Sequence, residues 1–137
     1  MQYFLVKSEP FKYSWDQFQK DGTTFWDGVR NYQARNTLVS MKKGDLVLFY
    51  HSNEGLEIVG IAKVVKESYP DPTTDDIRWC VVDLKAVKKL KIAISLSNIK
   101  EDAILKEMPL VKQSRLSVMQ LTSDQFHRVL ALSGTKI

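Results

Sequence analysis

The chain has no run of 18 or more apolar residues among its 137, which leaves no candidate for a membrane-crossing helix. It has a single cysteine, Cys80, so no internal disulfide can form and nothing calls for an oxidising compartment. Flanked by Trp79 and Val81, Cys80 reads as an inert, buried thiol. The two histidines, His51 and His127, are too far apart for zinc-type ligand spacing, so neither a metal nor a cofactor is expected. There is no G-x-S-x-G elbow and no glycine-rich phosphate loop. His51 with Glu9, Asp27 or Asp71 could do acid–base work, but no spacing gathers these groups, and an enzyme is the weaker reading. Met1 to Leu5 shows no basic segment followed by an apolar stretch, so an intracellular, cytoplasmic protein is expected. Repeats, low-complexity tracts and long linkers are also missing, which makes residues 1–137 one domain.

What is present is ordinary in amount and uneven in placement. The composition is 44% hydrophobic and 26% charged, with a net charge of +4. Lysines 85, 88, 89 and 91 form the densest basic cluster, which suits either a phosphate-facing surface or a solvated strand edge. Tyr3 to Lys7 is strand-like. Ser14 begins a capping box with Gln17, which predicts a short helix ending near Asp21-Gly22. A second helix is predicted over Arg30 to Met41. Leu46 to Tyr50 is an apolar strand, Glu57 to Lys66 another, and Trp79 to Leu90 a third. Gly60 suggests a bulge or a close backbone approach. Pro70 to Asp76 is a loop, Ser95 to Leu105 is broken helix, and Val118 to Leu121 is a last strand. Thr122 and Gln125 form a capping box ahead of the stripe Phe126, Val129 and Leu130. Locally paired strands with helices at the edges predict an α+β fold, either a curled sheet or a small barrel.

Polar and aromatic residues concentrate where these elements end. They form Lys7-Ser8-Glu9-Pro10, the segment Trp26 to Asn36, Tyr50-His51-Ser52, Ser68-Tyr69-Pro70-Asp71, and Ser114-Arg115-Leu116-Ser117-Val118. Each residue alone has a plainer explanation. Trp26 and Tyr50 suit a core, Asn31 suits a helix cap, and Arg30 and Arg35 suit a solvated helix. Together they are the set that holds a nucleobase: an aromatic ring to stack on it, amides and hydroxyls for its edge, and cations for the flanking phosphates.

WDGVRNYQARN at 26–36 is the most specific element of a resemblance to the EVE-domain family. KSEP at 7–10, FYHS at 49–52, YPDP at 69–72 and SRLSV at 114–118 follow the family's order, and the likeness runs from Tyr3 to about Leu132. One departure is Gln120, where the family often has proline. The resemblance implies a PUA-like fold: a curled mixed sheet or pseudo-barrel of about five or six strands flanked by short helices, akin to YTH and ASCH domains. It also implies a partner, a modified base in DNA or RNA, presented single-stranded or flipped. The base is expected to be a methylated or hydroxymethylated one such as 5-methylcytosine. Any effector would be a separate protein.

On that basis Ser8, Trp26, Asn31 and Tyr50 are expected to form the base pocket. Lys7, Arg30, Arg35, His51, Ser52 and Arg115 are expected at its phosphate-facing rim. Glu9, Pro10, Gly28, Val29, Asn36, Tyr69, Ser114 and Ser117 are expected to support them. An enzyme acting on a modified base or nucleotide, with Glu9 or Asp27 as acid or base, and a protein-interaction adaptor of the same fold are the alternatives.

Overall fold

The computed structural model describes all residues from 1 to 137. Six strands form one mixed sheet: β1 (Tyr3–Ser8), β2 (Thr23–Phe25), β3 (Leu46–His51), β4 (Glu57–Pro70), β5 (Cys80–Ser95) and β6 (Val118–Leu121). Their order across the sheet is β2-β5-β4-β3-β1-β6, and the sheet is not closed into a barrel. Only β1 and β3 run parallel, and every other pairing is antiparallel. Five helices surround the sheet: α1 (Trp15–Asp21), α2 (Tyr32–Ser40), α3 (Leu96–Glu101), α4 (Pro109–Lys112) and α5 (Ser123–Ser133). A single 3-10 turn, Leu105–Glu107, separates α3 from α4. No helix is long and apolar enough to cross a membrane.

The caps form where the sequence places them. Ser14 accepts a hydrogen bond from the Gln17 amide, whereas the Gln17 side chain turns to Asp21, leaving that capping box half made. At α5 both halves form between Thr122 and Gln125. β3 fills the centre, with Val47, Leu48 and Phe49 fully buried. Gly60 does what its place in a strand suggests. A Cβ there would lie 2.5 Å from the Trp15 ring, and the β3–β4 register shifts beside it. The indole of Trp15 therefore lies flat on the sheet, with Phe18 and Phe49 packed edge-on to it at 5.5 Å each.

The structure also differs from the periodicity reading. β4 and β5 form a long twisted ribbon that continues past Lys66 and Leu90, through partly exposed positions where alternation fades. β2 is only three residues long, and its ladder to β5 rather than its composition makes it a strand.

Candidate nucleic-acid interface

The exit of β1 defines the site. Lys7 and Ser8 end the strand, and the chain turns through Glu9 to Tyr13 into α1. On the other side β2 delivers Thr24 and Phe25, and Trp26 follows, its amide donating to the Val82 carbonyl. Between these two segments lies a cavity of about 430 Å³, lined by both together with Asp27 and Gly28.

Trp26 is 8% exposed and forms one wall. Its ring meets Phe49 edge-on at 5.6 Å and Tyr13 at 6.3 Å. Ser8 donates its hydroxyl proton to the Tyr13 carbonyl at 2.6 Å, so toward the cavity it can only accept. The Tyr13 hydroxyl donates to Asp21 at 2.8 Å, and burial first, then Asp21, pushes its pKa to about 12. Burial lowers the Lys7 pKa, and its ammonium donates to the Ser114 carbonyl at 2.8 Å. Glu9 pairs with Lys12 at 3.2 Å and accepts from Asn53.

The expected pocket is thus assembled in part. Ser8 and Trp26 share the cavity with Lys7, Glu9 and Gly28, whereas Tyr50 and Asn31 lie elsewhere. Phe49 and Tyr50 are successive strand residues and face opposite sides of the sheet. Phe49 meets Trp26, and Tyr50 lines a second cavity of about 380 Å³ with Lys7, Ser52 and Ser114. Lys7 is the residue common to both cavities. Asn31 caps α2, accepting from the Ala34 amide at 3.0 Å, and borders a cleft with Arg115.

Among the rim residues, His51 is not the cation expected. Its Nε2 accepts the Trp15 amide proton at 3.1 Å, and burial lowers its pKa, so the neutral ring tethers α1 to β3. Arg30 is committed to Asp71 at 3.0 Å, and Arg35 stacks over Tyr32 at 5.4 Å. Of the supporting set, Val29 is buried, Pro10 sits in the turn after β1, and Asn36 is exposed on α2. The Ser117 carbonyl accepts from the Lys7 amide. Tyr69 donates its hydroxyl proton to Asp83, and burial and that carboxylate push its pKa to about 12.

Lys12, Tyr13, Thr24 and Phe25 also line the cavity, although no sequence motif marks them, and so does Asp27, which the sequence offers only as an acid or base of the enzyme alternative. The capping box at Ser14 was the available clue to the first pair, because it fixes where the chain re-enters beside β1. The two carboxylates, Glu9 and Asp27, can accept from a base's exocyclic amine, while Lys7 and Lys12 can donate to ring acceptors.

The six-stranded mixed sheet flanked by short helices, with aromatic and polar side chains gathered at the exit of β1, defines the class of fold. This chain belongs to the EVE-domain family, whose profile matches residues 2–132. It is 40% identical to thymocyte nuclear protein 1 of Gallus gallus, across 98% of this chain and 69% of that one. A crystal structure of an Agrobacterium tumefaciens protein superposes with a TM-score of 0.96 at 44% identity, covering 98% of this chain and 94% of that one. Human THYN1 protein, solved in complex with DNA containing 5-methylcytosine, superposes at 0.91 with 36% identity over the full length of both chains. The YTH domain of a Zygosaccharomyces rouxii protein, solved with N6-methyladenosine RNA, superposes at 0.62 with 16% identity and shares the fold alone.

Proposed function

We propose that this protein is a nucleic-acid-binding module that admits one modified base into the cavity between the β1 exit and Trp26. The carrying observation is that cavity itself. Trp26 walls a space that two carboxylates, Glu9 and Asp27, and two ammonium groups, Lys7 and Lys12, also line at the exit of β1. The relationship to human THYN1, solved on methylated DNA, supports a cytosine as the base. Cytosine offers a 4-amino donor and two acceptors on its pairing edge. Asp27 or Glu9 would take the amine, and Lys7 would serve the acceptors, while Ser8 could take only a donor. Trp26 would stack on the ring or wall the 5-substituent. We favour binding over turnover and DNA over RNA.

Burying one added methyl contributes about 0.8 kcal/mol, a roughly fourfold preference. Extruding a base from a duplex costs a few kcal/mol, so a single strand should bind more tightly than intact duplex. The test is a titration of single-stranded and duplex DNA and RNA at fixed salt, each unmodified or carrying 5-methylcytosine, 5-hydroxymethylcytosine or N6-methyladenine. A preference for a modified cytosine, with binding of every cytosine probe weakened in Asp27→Asn at an unchanged melting temperature, supports the reading. Equal binding to every probe would end it, and release of an altered base would favour the enzyme.

A further inference from the structure

The β4–β5 ribbon carries a second feature, produced by two irregularities in its ladder. Lys85 and Lys88 are three positions apart on one strand, as are Lys63 and Lys66 on the other. In an uninterrupted ladder each pair would straddle the sheet, because side chains alternate. The register, however, pairs Ala62 with Ala86 but Ile61 with Lys88, leaving Val87 as an extra residue on β5. It also pairs Val64 with Leu84 but Lys66 with Asp83, leaving Val65 as an extra residue on β4. Each bulge reverses the alternation. The result is one face with successive rungs Lys66–Asp83, Lys63–Lys85 and Ile61–Lys88, its four lysines exposed and Ile61 buried beneath them, while Ala62, Val64 and Leu84 are buried on the other.

None of these four lysines forms an ion pair. Lys63 and Lys85 stand directly opposite each other, an arrangement that costs stability. Asp83 is the acid among these rungs, and it is occupied by the Tyr69 hydroxyl. All five ion pairs of the molecule lie elsewhere. Lys66 sits over the Tyr69 ring at 4.1 Å, and the Lys88 ammonium donates to the Lys136 carbonyl. The ridge is also continuous with the cavity. Phe25, 42% exposed, lines that cavity and pairs across the ladder with Asp83, and Thr23 pairs with Lys85.

We propose that this lysine ridge holds the phosphate backbone of the nucleic-acid strand leaving the cavity over Phe25; the proposal rests on the base-reading role given above. Unpaired cations set along a strand suit a polyanion, and the exposed ring at the cavity edge gives a base next to the bound one a surface to stack on. The ridge contributes affinity without sequence preference, and the cavity contributes the choice of base.

The experiment compares two single-stranded DNA probes centred on 5-methylcytosine, a trinucleotide and an oligomer of about 15 nucleotides, across a salt series. Each is repeated with unmodified cytosine. The wild type should bind the longer probe more tightly and with the steeper salt dependence. The triple variant Lys63→Gln, Lys85→Gln, Lys88→Gln should lower the slope of log affinity against log salt by about 2, at about 0.7 per phosphate contact. It should bring the longer probe close to the trinucleotide's affinity, at least about a tenfold loss at low salt, with the methyl preference unchanged. Its melting temperature should be no lower than wild type, which separates lost contacts from lost folding. An unchanged slope in the variant, or equal binding of both probes by the wild type, would overturn the proposal. So would retention on an acidic polypeptide lost in the variant while DNA binding persists, which would put a protein partner on the ridge. A slope that falls as expected in a protein with no methyl preference would keep the ridge and remove the base-reading role.

Discussion

Trp26 and Trp79 are equally hidden, each 8% exposed, yet their surroundings differ in kind. The Trp26 ring touches the edges of Tyr13 and Phe49 and borders an open cavity. Two guanidinium groups lie over Trp79, that of Arg30 at 5.7 Å and that of Arg78 at 5.5 Å, and Tyr32 lies beside it. Each guanidinium is tied to a carboxylate, Arg30 to Asp71 and Arg78 to Asp76. Trp79 is thus an anchor whose neighbours are already satisfied, and it fastens the loop after β4 to the start of α2. Trp26 has core on one side and room for a ligand on the other. Burial alone does not tell them apart; the groups that face each ring do.

That contrast can be broken most strongly at Trp26 itself. Trp26→Ala should cost about 3–5 kcal/mol of stability and abolish selective binding, seen together in denaturant melts and titrations. Trp79→Ala should also destabilise, by about 2–4 kcal/mol, yet keep the base preference of whatever fraction folds. A smaller effect is expected at Asp71. Burial pushes its pKa up, but the Thr73 hydroxyl and amide and the Arg30 guanidinium outweigh this and hold it below the usual carboxylate range. Arg30 is 40% exposed, so solvent screens part of the pair, and Asp71→Asn should cost about 1–3 kcal/mol at neutral pH. A carboxylate with a depressed folded pKa stabilises fully above its unfolded pKa and loses that contribution as pH falls through the folded one. The melting curves of wild type and Asp71→Asn should therefore converge in acid. On the Trp26 side, Asp27→Asn should weaken nucleic-acid binding by about 1–2 kcal/mol and leave stability within about 0.5 kcal/mol. The smallest effect belongs to His51. The folded protein holds its ring neutral, so stability is fully present above the ordinary histidine pKa and declines as pH falls below it. Between pH 7 and pH 5 the wild-type melting temperature should fall more than that of His51→Gln.

Much of the fold could be read from the sequence because its signals were local. Ser14, Thr122 and Gln125 announce helix starts by their own hydrogen bonds, and the apolar run at 46–50 has one reasonable home. Gly60 marks the place where an indole lies against the backbone. The site was harder, because its composition is local and its convergence is not. Trp26, Ser8 and Lys7 line one cavity, which the order of the motifs along the chain does not reveal. Tyr50 does not join them, since β3 continues in regular alternation through Phe49 and sends its neighbour to the opposite side. His51 looked like a cation because histidine often is one; a backbone amide 36 positions earlier makes it an acceptor. The lysine cluster was visible as composition, but its arrangement depended on two bulges that only the pairing with β4 reveals.

The place of β1 in the sheet has a consequence for how the domain is made. Its two hydrogen-bonding edges are closed by β3 and by β6, and β6 does not begin until Val118. The second edge of β1 therefore has no partner strand until residue 118 and those after it have been made. The exit of β1 carries Lys7 and Ser8, and the Lys7 amide donates to the Ser117 carbonyl just before β6, so one backbone bond of the cavity's edge waits for that segment. Folding of this kind depends on contacts distant in sequence and is slow for the size of the chain. A nascent chain stalled before residue 118 should remain sensitive to protease and unable to retain DNA, and both properties should change together once β6 is free to pair.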